Sequence, residues 1–273
     1  MTRFVLFALV VGLALAVGTA QALTLQPSVS NTQSWVAPDA NGDGNPYWDG
    51  DSDDSTLHAN IGNWLTNTGA FAGGSGPGVA YPYIGTSSAG DLEIFFTSTD
   101  PNWAAIRIEV AGLAEYNYFG IYNKGAPPAN VDDLLTPSSA NHLRLFVGSD
   151  GSGVSKTFTP PWQYFGWYLA TKDPSSGVAK AKWAWFSESS LNKVGSSSAD
   201  TDQQHFAFFE VVKNQAYYIG VEDLPMAQSS DWGTSDKDYQ DFVVFASVIP
   251  DASTWMLFLS GVPALALLRR KRA

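Results

Sequence analysis

The sequence predicts an all-β fold, an antiparallel β-sandwich of jelly-roll-like type. Three observations point there. Between the two ends of the chain, apolar and polar residues alternate with a period of two over short runs, which is the pattern of half-buried strands. Clusters of Gly, Ser, Pro, Asn and Asp separate those runs and read as turns and surface loops. Finally, the chain has no cysteine, so no disulfide holds it, while its 10 Trp, 11 Tyr and 16 Phe supply a large apolar core.

Taken in order, the first strand is expected at Asp91 to Thr97, where Leu92, Ile94 and Phe96 share one face. Ile106 to Val110 follows, with Ile106, Ile108 and Val110 on one side and Arg107 and Glu109 on the other. Further strands are expected at Tyr116 to Tyr122, His142 to Val147, Tyr164 to Thr171, Ala179 to Phe186, Phe206 to Val212, Ala216 to Glu222 and Asp241 to Val248. Gly73 to Gly78, Gly148 to Gly153 and Gly195 to Ser198 read as surface loops. No repeat with a period of about 20–50 residues is visible, which argues against a solenoid or propeller. These strands suit two stacked sheets.

The ends have a different character. Met1 to Arg3 is a short basic segment, Phe4 to Val17 is apolar, and Ala20 and Ala22 frame a small-x-small cleavage site, so residues 1–22 are expected to be a signal peptide. At the other end, Trp255 to Leu268 is free of charge and precedes Arg269, Arg270, Lys271 and Arg272. As a helix this run reaches roughly 21 Å at about 1.5 Å per residue, short of the ~30 Å hydrocarbon core. It suits a transient transmembrane helix better than a permanent anchor, and the terminal cations hold the C-terminus on the cytoplasmic side. A plain tail anchor is the simpler alternative.

Pro250, Asp251, Ala252, Ser253, Thr254 and Trp255, followed by the apolar run and the cations, resemble the PEP-CTERM sorting signal of exported bacterial proteins. Asp251 stands for the usual Glu and Ala252 for the second Pro. The resemblance covers about residues 249–273 and implies cutting by an exosortase, a membrane-embedded protease, followed by release to the cell surface or extracellular matrix. Residues 23–248 are then the β-sandwich domain and 249–273 the sorting signal with its short hydrophobic helix.

Loss of both ends removes Arg3, the four terminal cations and Asp251, leaving 10 basic and 25 acidic residues and a net charge of −15. Such a domain is repelled by nucleic acid, and it attracts divalent cations. Two acidic stretches are candidate calcium sites. In the first, Asp39, Asn41 and Asp43 occupy positions 1, 3 and 5 of an EF-hand-like loop, Gly44 provides the sharp turn, and Asn45 and Asp49 follow. Gly50 stands where the closing Glu belongs, so a hydrated acidic loop is the alternative.

In the second, Glu222 and Asp223 end one strand while Asp236, Asp238 and Asp241 lead into the next. This stretch resembles a (G/S)-D-x-D-(Y/F)-N-D-hydrophobic element that recurs in exported bacterial β-domains, with Gln240 in place of Asn. A hairpin brings the two groups of acids together, where a bound calcium relieves their repulsion or turn-capping hydrogen bonds use them.

Aromatic residues cluster at Trp162, Tyr164, Phe165, Trp167 and Tyr168, and again at Trp183, Trp185 and Phe186. Trp162 and Trp167 are candidates for a carbohydrate-stacking surface, against a reading of the whole set as core. Catalytic signatures are absent: there is no Gly-x-Ser-x-Gly elbow, zinc-protease helix, phosphate loop or thiol. His58, His142 and His205 are scattered and read as structural or surface residues. The expectation is a non-enzymatic, calcium-stabilised surface or exopolysaccharide-matrix protein. A carbohydrate-binding or adhesion module and a secreted polysaccharide hydrolase are the alternatives, the last only because so many acids can pair by chance.

Overall fold

The computed structural model describes residues 23–33, 60–68, 74–81, 83–84, 91–98, 100–109, 113–194, 204–225, 235 and 238–249. The strands among them are β1 (Thr24–Gln33), β2 (Asp91–Thr97), β3 (Asn102–Glu109), β4 (Asn117–Asn123), β5 (His142–Val147), β6 (Ser155–Phe158), β7 (Tyr164–Lys172), β8 (Ala181–Phe186), β9 (Lys193–Val194), β10 (Phe206–Val212), β11 (Ala216–Val221) and β12 (Phe242–Val248). The chain is therefore all-β, and the described residues form two antiparallel sheets with one short α-helix, α1 (Ile61–Thr66). No helix among the described residues is long and apolar enough to cross a membrane, and Trp255 to Leu268 lies outside them.

One sheet has the order β1-β2-β7-β4-β5, with β8 on β7 and β9 on β8. β7 organises it. Its residues Tyr164 and Phe165 pair with β2, Tyr168 to Lys172 pair with β8, and β4 runs along its other edge. Where β2 and β8 meet end to end, Ser187 joins them: its N–H donates to Trp167 O at 2.9 Å and its carbonyl accepts from Ile94 N at 3.2 Å. The other sheet has the order β10-β11-β12-β3-β6, so β12, the last strand before the tail, is interior.

Alternation dictates what meets between the sheets. Phe96, Phe119, Phe165, Trp167 and Leu169 from the first sheet share one apolar cluster with Ile106, Phe158, Phe206, Phe208, Ile219 and Val244 from the second. Rings make direct contact across it, as in Phe96–Phe208 at 5.5 Å and Phe119–Phe242 at 5.2 Å between centroids. Burying each such side chain contributes about 1.5–3 kcal/mol, the main stabilising term in a domain without disulfides. Trp183 and Trp185 stack at 6.0 Å in the same cluster, while Ala184 and Phe186 of the same strand enter a second cluster under the 3-10 turn Val131–Leu135. β8 is thus covered on both faces.

Three details depart from the alternation pattern. Ile106 and Ile108 do not share a face: the β3–β12 register shifts between Val243 and Val244, placing Ile106 in the inner core and Ile108 in a separate cluster against α1. Ala179 and Lys180 precede β8 and are exposed, so that strand opens at Ala181. β1, β6, β9 and α1 carry weak sequence signals. β1 is polar, and its Pro27 sits on an edge strand with an irregular register, where a missing N–H is tolerated. α1 spans six residues, and Asn60 caps it by accepting from Asn63 N at 2.8 Å.

Candidate metal centre

β10, β11 and β12 are neighbours in register, so the residue after β11 and those before β12 necessarily come close. Phe242 pairs with Val221, which brings Glu222 and Asp241 opposite one another just beyond that pair. The turn before β12 is built around Tyr239, whose φ of +56° is left-handed and unusual for an aromatic residue. Its side chain is wholly buried, and its hydroxyl donates to Gln204 O at 2.6 Å, which fixes this conformation. Gly220 makes room for the turn: a Cβ there would stand 2.3 Å from Ile61 Cδ1 and 2.5 Å from Tyr239 O.

Within this frame Glu222, Asp238 and Asp241 each offer an oxygen, and the three lie within 4.8 Å of one another. Glu222 has no exposed surface and Asp238 is 6% exposed. The surrounding groups position them. Glu222 N donates to His205 O at 3.0 Å, and His205 Nδ1 lies 3.0 Å from Glu222 O; since a carbonyl only accepts, that nitrogen carries the proton. Asp238 accepts from Gln240 N at 2.9 Å and from Gln240 Nε2 at 2.7 Å, while its own carbonyl accepts from Ile61 N, docking α1 on the turn. Asp241 Oδ2 accepts from Asp223 N at 3.1 Å.

Asp223, the neighbour of Glu222, belongs to a different network. Its Oδ2 accepts from Asn117 Nδ2 at 3.0 Å, and Asn117 Oδ1 in turn accepts from Thr171 Oγ1 at 2.8 Å. Its carbonyl accepts from Trp185 Nε1 at 3.0 Å, and the Trp185 ring stacks on His205 with centroids 3.8 Å apart. The acid cluster is therefore tied through Glu222 to His205, and through Asp223 to the opposite sheet.

Three carboxylates this close repel one another unless protons, hydrogen bonds or a cation offset their charge. The donor set is made of hard oxygens, which suits calcium or magnesium and not a thiophilic metal. By this measure the residues fit a divalent cation. Asp236 lies outside the described residues, as do Asp39, Asn41, Asp43, Asn45 and Asp49 of the first acidic stretch and His58 beside it. The same is true of Ala20, Ala22, Pro250, Asp251, Ala252, Arg269, Arg270, Lys271 and Arg272.

The aromatic candidates separate. Trp167 has no exposed surface and stacks on Phe119 at 5.4 Å inside the core, so it presents no ring face to a sugar, and the expectation of a carbohydrate role for it is corrected. Alternation on β7 puts Trp167 on the same inward face as Phe165 and Leu169. Trp162 is half-buried, and its indole N–H donates to Ala140 O at 2.9 Å. Tyr164 is exposed, with Phe95 edge-on beside it at 5.8 Å.

Two histidines are structural in their contacts. His142 Nδ1 is 2.8 Å from Ser139 Oγ, Nε2 is 3.2 Å from Thr136 O, and burial lowers the pKa of the ring. His205 is enclosed by Trp185 and the Glu222 backbone. Glu109, which no sequence pattern singles out, is an acid whose titration the fold raises: burial first, then the charge of Asp150, lifts its pKa from 4.5 to about 7.

Against known proteins, no curated protein and no solved structure matches the chain. Residues 160–248, about a third of the sequence, are similar to a domain of unknown function, DUF4114; the matched segment runs from just before β7 to the last residue of β12 and contains the whole acid cluster.

Proposed function

We propose that this chain is an exported, non-enzymatic β-domain of the cell surface or exopolysaccharide matrix, held in its final fold by calcium at Glu222, Asp238 and Asp241. The observation that carries the cation is the burial of Glu222 and Asp238 within 4.8 Å of Asp241. The apolar cluster shared by the two sheets supports reading residues 23–248 as a jelly-roll-like sandwich. Export rests on the sequence of the ends. Residues 1–22 act as a cleaved signal peptide, and the PEP-CTERM-like segment 249–273 is inserted transiently in the inner membrane through residues 255–268 and cut by an exosortase-like protease. An acidic, calcium-bound domain then remains soluble outside the cell by self-repulsion while its hairpin stays locked.

Thermal unfolding with and without a calcium chelator tests the cation. A ligand bound by the folded state at about 100 times its Kd adds roughly 2.7 kcal/mol, which in a domain of this size raises Tm by about 5–10 °C. The expected result is a loss of that order in chelator, restored by added calcium. A melting curve that does not move removes calcium from the account.

A further inference from the structure

Four of the ten cations left between the end segments, Lys172, Lys180, Lys182 and Lys193, fall within one stretch of a domain whose net charge is −15. Two of them line one cavity. Lys180 and Lys193, with Asn130 and Asp132, border a cleft of about 350 Å³ beside the 3-10 turn Val131–Leu135, within the ~300–1,000 Å³ range of small-molecule sites.

Its polar wall is preformed. Asp132 Oδ1 accepts from Ala181 N at 2.7 Å, which ties the turn to the start of β8, and Asn130 Oδ1 caps the turn by accepting from Asp132 N at 3.1 Å. Lys193 is paired with Ala184 through the strand ladder, and Lys180 O accepts from Asp173 N at 2.8 Å, so both lysine backbones are fixed.

Neighbouring acids leave positive charge in the cleft. Asp173 is engaged first by Ser175, whose N–H donates to it at 2.9 Å and hydroxyl at 2.6 Å, and then by the charges of Lys182 and Lys180. Asp133 is the carboxylate that acts on His142. The ion pairs among the described residues are Lys124–Glu188 and Lys156–Asp150, and neither involves Lys180 or Lys193. Among the described residues, Lys180 and Lys193 therefore face Asp132, already tied to the backbone, while the carboxylate of Asp173 is shared between Lys182 and Lys180. Among the described residues no aromatic ring lines the cleft, so charge and hydrogen bonding are what its wall offers.

We propose that this cleft binds an acidic sugar. The carboxylate of a uronic acid unit sits between Lys180 and Lys193 as a charge-assisted acceptor, and ring hydroxyls bond to Asp132 and Asn130. The inference borrows from the proposed function only the extracellular setting in which such polymers occur; the cleft itself owes nothing to the metal centre.

Calorimetric titration of the full chain with trigalacturonate, against maltotriose as the neutral control, tests it. Trigalacturonate is expected to bind, and the double variant K180Q/K193Q to weaken binding by about tenfold or more, the loss of about 1.4 kcal/mol. K180R/K193R should retain binding, and maltotriose should bind at least about tenfold more weakly. Absence of trigalacturonate binding, or binding undiminished in a K180Q/K193Q protein with an unchanged melting curve, overturns the proposal. A protein whose melting ignores chelator yet binds trigalacturonate through these lysines would lose the calcium reading and keep this one.

Discussion

Glu109 and Gly220 show how much a single position can hold. Glu109 Oε1 is buried without a hydrogen-bond partner among the described residues, next to the charge of Asp150, which Lys156 partly offsets from 3.1 Å. Its folded pKa of about 7 lies above the ordinary 4.5, so the folded state holds the proton more tightly than the unfolded chain. The stability this confers is complete below pH 4.5 and is lost as pH rises to about 7. Glu109→Gln should therefore flatten the wild-type decline in Tm over that window and leave the variant the more stable of the two at pH 8; a Tm difference that does not change with pH would contradict the assignment. At Gly220 the added methyl of Gly220→Ala meets a backbone carbonyl, which cannot step aside as a flexible side chain can. The expected cost is about 1–3 kcal/mol, read by denaturant unfolding.

The element that matters is the β11–β12 hairpin, because it gathers the acids and closes on α1. Glu222→Gln removes one negative oxygen while keeping the shape. In calcium the variant should melt below the wild type, and in chelator the order should reverse, since the repulsion among the remaining carboxylates is smaller. Equal melting of the two proteins in both conditions would leave Glu222 outside the cation's shell. Much of this hairpin was legible in the sequence. Ala216 to Glu222 and Asp241 to Val248 alternate plainly, and acids ending one strand and opening the next have to meet when the strands pair. Asp223 was not legible, because its partner Asn117 is 106 residues away and no local pattern announces it. The register shift opposite Val243 and Val244 was hidden for the same reason: Ile106 and Ile108 look equivalent until β12 is laid beside them. Trp167 shows the limit of composition, since an aromatic-rich strand reads equally as core or as surface until the second sheet covers one face.

At the scale of the whole molecule, the folded domain and the two ends of the chain have different chemistry. The sheets, their shared core and the acid cluster lie within residues 23–249, whereas the proposed export and sorting rest on the chemistry of the two ends. β12 joins them: it is interior in its sheet, its Val248 N–H donates to Gln215 O at 3.0 Å, and Ile249 N donates to Pro101 O at 3.0 Å. The fold thus reaches to within one residue of Pro250, so the proposed cut near that proline falls at the edge of a finished domain and spares the hairpin that carries the acid cluster. The most direct test is intact-mass and terminal peptide mapping of the protein from its native cells, with membrane and matrix fractions kept apart. The account predicts a chain beginning at Leu23 and ending between Pro250 and Thr254 in the surface or matrix fraction. A chain that keeps Ala273 and remains with the membrane would contradict it.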